Sequence, residues 1–186
     1  MIYLDAGATT LQKPPAVAFA VQSAMRRMAT PGRGGHPPAM RAADAVYDCR
    51  CLVGALFGAQ PEQVVFTMNA THALNLAIKT LVKPGGRAVI SGFEHNAVLR
   101  PLHHIGANIT AVGRQLFDPA DTLAANAVVC THVSNVFGYI LPIEEIAALC
   151  RARGVPFVLD ASQSAGLLPV HLAELGADFI CMPGHK

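Results

Sequence analysis

Three observations on this 186-residue chain predict an α/β fold, three-layered around a mostly parallel sheet. After Pro61, short runs rich in valine, isoleucine and phenylalanine alternate with helical stretches. The runs are apolar on both faces, as strands covered by helices on both sides must be. Each run also ends on polar residues, at the carboxyl ends of strands where ligands of such sheets bind.

The elements follow in order. Val17, Val21 and Met25 recur four apart and predict a short helix from about Pro15 to Met28. Thr30 to Pro38 is too rich in glycine and proline for a helix or a central strand. A longer helix follows, with Ala42, Ala45, Val46, Cys49, Leu52, Val53, Leu56 and Phe57 on one apolar stripe. Val64 to Met68 reads as a strand, and Ala73, Leu74, Ala77, Ile78 and Leu81 mark the face of the next helix. Ala88–Ser91 is a strand, His95 to Ile105 a helix, and Asn108 to Val112 a shorter strand. Ala127–Thr131 is a strand, Pro142 to about Arg153 a helix, and Pro156–Asp160 and Ala177–Met182 are strands.

Composition narrows the function classes. Hydrophobic residues at 52% and charged residues at 14% exclude a disordered chain, and so little charge points to further buried surface in a longer chain or an oligomer. A net charge of +2 offers no basic field for nucleic acid or an acidic membrane. No apolar run reaches the roughly 18 residues of a membrane helix. The N-terminal MIYLDAGATT lacks a basic leader and an apolar signal stretch, so a cytoplasmic protein is expected. The five cysteines show neither zinc spacing nor a disulfide framework and read as small buried hydrophobes. No histidine pair has the i, i+4 spacing of a metal helix, so no metal is expected.

The strand exits are Asn69-Ala70-Thr71, Glu94-His95-Asn96, His132 to Asn135, Asp160 to Gln163, and Gly184-His185-Lys186. The first opens a helix, whose N–H groups and dipole suit a phosphate, although Asn and Thr are equally ordinary N-caps. No dinucleotide or Walker pattern occurs, so the phosphate of a smaller cofactor fits better. Asp160, at the end of an apolar strand, needs a cation or several donors; a pyridinium nitrogen is one candidate and capping the next segment is the competitor. Lys186 could form Schiff bases with carbonyls, against the ordinary reading of a solvated lysine. His95 could stack on an aromatic cofactor and shuttle protons, or bond the backbone at its helix start. His132 stays ambiguous, and His72, His103, His104 and His171 suit structural roles.

In this order, these motifs resemble the class V aminotransferase family of pyridoxal-phosphate enzymes, and within it the cysteine desulfurases and selenocysteine lyases. The likeness takes in Tyr3-Leu4-Asp5, Ala8-Thr9-Thr10, Gly32 to His36, Asn69 to Leu76, Glu94-His95-Asn96, His132 to Gly138, Leu141 to Ile146, Asp160 to Gln163 and Gly184-His185-Lys186. It implies that Lys186 holds pyridoxal 5'-phosphate as a Schiff base and that Asp160 pairs with the ring nitrogen. Gln163 would reach the ring hydroxyl, while His95 stacks on the ring and relays protons. Ala70, Thr71 and His185 would hold the phosphate. Asn135 would lie near the ring and the substrate carboxylate, and Arg33 and His36 would line the entrance. Two positions depart from the family pattern: Ala6-Gly7 stands where many members have Asn after the first Asp, and Pro183 where many desulfurases carry a phosphate-binding serine.

The implied activity is conversion of L-cysteine to L-alanine plus an enzyme persulfide. Selenocysteine lyase and aminotransferase activities are the alternatives, with a homodimer and a sulfur-acceptor protein as partners. On this likeness, residues 1–30 belong to a small domain and the active-site entrance, and residues 31–186 to part of the cofactor-binding large domain. None of Cys49, Cys51, Cys130, Cys150 and Cys181 stands where the family places its sulfur-accepting nucleophile. The run Asp178 to Lys186 ends on the cofactor lysine with no closing helix. The chain is therefore expected to be the N-terminal half of a longer protein, or alternatively a non-catalytic fragment of one.

Overall fold

The computed structural model describes residues 2–113, 122 and 124–186. They form two compact units, residues 1–65 and residues 66–186.

In the first unit, α1 (Pro15–Arg27) starts on a proline at its first helical position, where the missing N–H costs nothing. The second helix, α2 (Pro37–Phe57), also opens on proline and closes on Gly58, whose φ of 65° gives the left-handed cap that ends helices cheaply. The expected apolar stripe of α2 is only partly buried. Ala42 and Phe57 are buried, while Leu52 and Leu56 are exposed.

The second unit holds a five-stranded, fully parallel sheet in the order β2-β1-β3-β4-β5. The strands are β1 (Arg87–Ser91), β2 (Asn108–Val112), β3 (Ala127–Thr131), β4 (Phe157–Asp160) and β5 (Phe179–Cys181). Its helices are α3 (Ala70–Leu81), α4 (Asn96–His104), α5 (Ile143–Arg153) and the short α6 (Leu172–Leu175). Ala88, Ile90, Ala127, Val129 and Val158 face one side and pack with Leu74, Ile78, Val98 and Leu102 of α3 and α4. Val128, Cys130, Phe157 and Leu159, at alternate positions, point the other way and are equally buried. On α5, Ile143, Ile146, Ala147 and Cys150 are buried. Strands buried on both faces explain the continuous apolar runs. No helix of the described residues is long and apolar enough to cross a membrane.

One expected strand is absent. Val64–Met68 takes no place in the sheet, and Val65 and Met68 are largely exposed. A run of β-branched residues becomes a strand only where a ladder receives it, and the sheet of the described residues has no place for this one. The remaining elements match their expected positions to within two residues at nearly every end.

Candidate active site

The strand order reverses between β1 and β3: β1 is followed by β2 on one side, and the chain then returns to add β3 on the other. In open α/β sheets ligands bind at such a reversal, outside the carboxyl ends of the strands. Of the expected site residues of the second unit, Ala70 and Thr71 open α3, His95 caps α4, Asp160 ends β4, and the others follow β3, β4 and β5.

Asp160 ends β4 opposite Thr131 of β3 and Cys181 of β5. It is only 3% exposed, and its Oδ1 accepts the Ser162 N–H at 3.0 Å. That bond is the local turn expected of an Asp after a strand. It leaves Oδ2 for a donor from elsewhere, as pairing with a ring nitrogen requires. Gln163 follows in the same turn, half-buried. His185 and Lys186 follow β5, the neighbour of β4, with Lys186 half-buried and His185 exposed. Asn135 is exposed on the loop after β3.

At the start of α3 the capping question has a definite answer. Asn69 Oδ1 accepts the His72 N–H at 2.8 Å, so Asn69 is the cap and the Thr71 hydroxyl is not needed for it. The Ala70 and Thr71 N–H groups precede the helical ladder and face outward, where the helix dipole favours an anion. Asn69-Ala70-Thr71 does not, however, leave a strand, because Val64–Met68 is not one. Thr71 and His95 share a groove of about 470 Å³ between α3 and α4, which Asn75, Lys79, Arg100 and His104 continue. It contains no carboxylate, which suits a phosphate.

His95 is the N-cap of α4, and its Nδ1 accepts the Ala97 N–H at 3.1 Å. The backbone-bonded alternative is thus realised, and it fixes the neutral tautomer with the proton on Nε2. Arg33 and His36 lie in the first unit, both exposed, with His36 the N-cap of α2.

Two features were not legible as site residues. Phe93, Phe137 and Tyr139 form an aromatic cluster, Phe93 from the β1 exit and the other two from the β3 loop. Phe93 meets both edge-on, at centroid distances of 6.0 and 5.6 Å, and Phe137 stacks on Tyr139 at 5.4 Å. Glu94 is the second. Its Oε1 accepts the Thr131 N–H at 2.7 Å and the Ser91 hydroxyl, while Oε2 is buried with no partner among the described residues. Burial, and then the charge of Asp160, push its carboxyl up to about 8, against the pull of the bonds from Ser91 and Thr131. A glutamate directly after an apolar strand was the available signal, but its partner stands 37 residues away.

Residues 2–186 match the aminotransferase class-V family. The chain belongs to that family. It is 36% identical to the cysteine desulfurase IscS of Pectobacterium carotovorum, over its whole length but only 50% of that protein's. Among solved structures, the apo cysteine desulfurase of Thermococcus onnurineus NA1 superposes with a TM-score of 0.88 at 31% identity, over 100% of this chain and 50% of its own. SspA, solved in complex with cysteine, superposes with a TM-score of 0.89 at 26% identity, over 98% of this chain and 57% of its own. The class V chain thus spans about half the length of the curated relatives it matches.

Proposed function

We propose that this chain is the cofactor half of a pyridoxal-phosphate-dependent cysteine desulfurase. The observation that carries the reading is Asp160, a buried carboxylate at a strand exit with one oxygen left for an outside donor. The residue types expected at the site suit the cofactor. The α3 start with Ala70, Thr71 and, from β5, His185 would hold the phosphate. Asp160 would bind the ring nitrogen, Gln163 the ring hydroxyl, and Lys186 Nζ the aldehyde carbon. Bound there, pyridoxal phosphate supplies an electron sink for charge developing at the substrate Cα.

The chain's own residues then divide the work. Lys186 Nζ would carry the Cα proton of the substrate. His95 presents its ring, with Nε2–H oriented by the Ala97 bond, and relays protons. Asn135 positions the substrate carboxylate, and Arg33 and His36 serve the entrance, which residues 1–30 help to form. In the net reaction the substrate C–S bond breaks, alanine gains a proton at Cβ, and sulfur joins an enzyme thiol as a persulfide. None of the five cysteines of this chain stands where the family places that thiol. The names of its relatives support cysteine as substrate, and the working form is proposed to be a cytoplasmic homodimer that passes sulfur to an acceptor protein.

Titrating the protein that carries this chain with pyridoxal phosphate should produce the visible absorbance of lysine-bound cofactor, and Lys186→Ala should abolish it. No such band in the parent would refute the reading. Alanine with sulfide identifies a desulfurase, selenide a selenocysteine lyase, and a keto acid an aminotransferase.

One observation favours a second reading for the chain on its own. Val64–Met68 lies outside the sheet and α2 leaves Leu52 and Leu56 exposed, as in an incomplete, non-catalytic fragment. The 186-residue chain should then aggregate or bind cofactor poorly; a monodisperse, cofactor-loaded chain would contradict it.

A further inference from the structure

Glu94 stands where the sheet order reverses, and its carboxyl ties together the ends of β1 and β3. Oε1 takes the Thr131 N–H at the end of β3 and the Ser91 hydroxyl at the end of β1. The turn from β1 to α4, which carries His95, is thereby fastened to β3. The other oxygen, Oε2, is buried and has no partner among the described residues. An ionised carboxylate buried with one oxygen bare is costly, whereas a neutral acid places its proton on that oxygen and keeps Oε1 as a double acceptor. The titratable groups that act on it from the packed strands are Asp160 of β4 and Cys130 of β3. The first repels an ionised Glu94, and the second gains nothing from one. Cys130 is itself committed, donating its Sγ–H to the Thr131 carbonyl at 3.2 Å.

We propose that Glu94 is a positioning residue that works as a neutral acid and pins the turn bearing His95 to β3. The clamp fixes where the ring of His95 stands. The consequence for the cofactor rests on the function proposed above. The clamp and the proton do not.

The test needs no cofactor, so its failure is separable from failure of the desulfurase reading. Urea unfolding is followed from about pH 5 to 9 for the parent and Glu94→Gln, which keeps the Oε1 acceptor and cannot ionise. The folded group holds a proton that the unfolded one loses, so the parent should lose stability relative to E94Q as pH rises. The loss should reach as much as about tenfold in the unfolding constant per pH unit and level off above about pH 8. A constant offset between the two proteins, at whatever size, would overturn the proposal. Infrared spectra give a second measurement should E94Q fold poorly: a protonated-carboxyl band at pH 7, present in the parent and also in Cys130→Ser, is expected. Its absence from the parent would likewise overturn it. For positioning, the His95 ring nitrogen shifts should be kept in E94Q and displaced in Glu94→Ala. Equal shifts in E94A and the parent would overturn the positioning role.

Discussion

His95 Nδ1 accepts the Ala97 N–H at 3.1 Å, so the imidazole offered for chemistry is also the cap of α4. The two roles use different atoms of one ring and can be separated by substitution. His95→Ala should cost ~1 kcal/mol of stability, the ordinary worth of an N-cap. His95→Asn should restore most of that, since asparagine caps well, and should restore none of the turnover. Urea melts of the three proteins check it. Equal loss in both variants would show that the Nδ1 bond contributes nothing.

The five thiols should fall into two classes. Burial pushes Cys150 and Cys181 up to about 12 and Cys130 well above its ordinary value, with nearby acidic groups adding to each. Cys49 is exposed and Cys51 half-buried on α2. Brief alkylation of the native chain near pH 8 should therefore label Cys49 and Cys51, and the other three only after unfolding. Early label on Cys150 or Cys181 in a peptide map would contradict the burial.

His132 predicts a pH dependence opposite in sign to that of Glu94. Burial lowers its pKa, with Glu144 pulling the other way, and its Nδ1 is buried without a partner among the described residues. Below the unfolded value near 6.5 the unfolded chain takes up a proton more readily than the folded one, so this contribution to stability is lost as pH falls. His132→Gln removes the proton site. The stability of the parent relative to this variant should be lower at pH 5.5 than at pH 7.5, by a few-fold in the unfolding constant. A difference independent of pH would count against it.

Gly54 reverses the usual helix rule. Glycine to alanine inside a helix normally stabilises by about 1 kcal/mol. Here an added Cβ would meet the Ala59 carbonyl oxygen at 2.5 Å, where the chain folds back after Gly58. Gly54→Ala should destabilise by roughly 1–3 kcal/mol, the range for overpacking against backbone. A rise in thermal midpoint would show that the turn after α2 can move.

Local pattern was enough for most elements. Ala127–Cys130 and Phe157–Leu159 are continuous apolar runs, and both strands are buried throughout. Asn69 and Thr71 were equal candidates for the α3 cap, and the bond from His72 decided for Asn69. Val64–Met68 shows the opposite case. Its residues have high strand propensity, but pairing is a property of two segments, and no strand of the described sheet receives this one. The stripe on α2 has the right period, yet periodicity marks a face without saying whether anything covers it.

Periodicity and punctuation act between residues a few positions apart, so the chain alone was sufficient for the α/β class, the strand exits and the list of residues at them. Strand order is set by contacts between segments tens of residues apart. It therefore took the folded sheet to place β1 beside β3 and to bring Thr131 within 2.7 Å of Glu94. The environment of that carboxyl follows from the same packing. Desolvation depends on what surrounds a group in space, and Glu94 reads in the chain as one more polar residue after a strand.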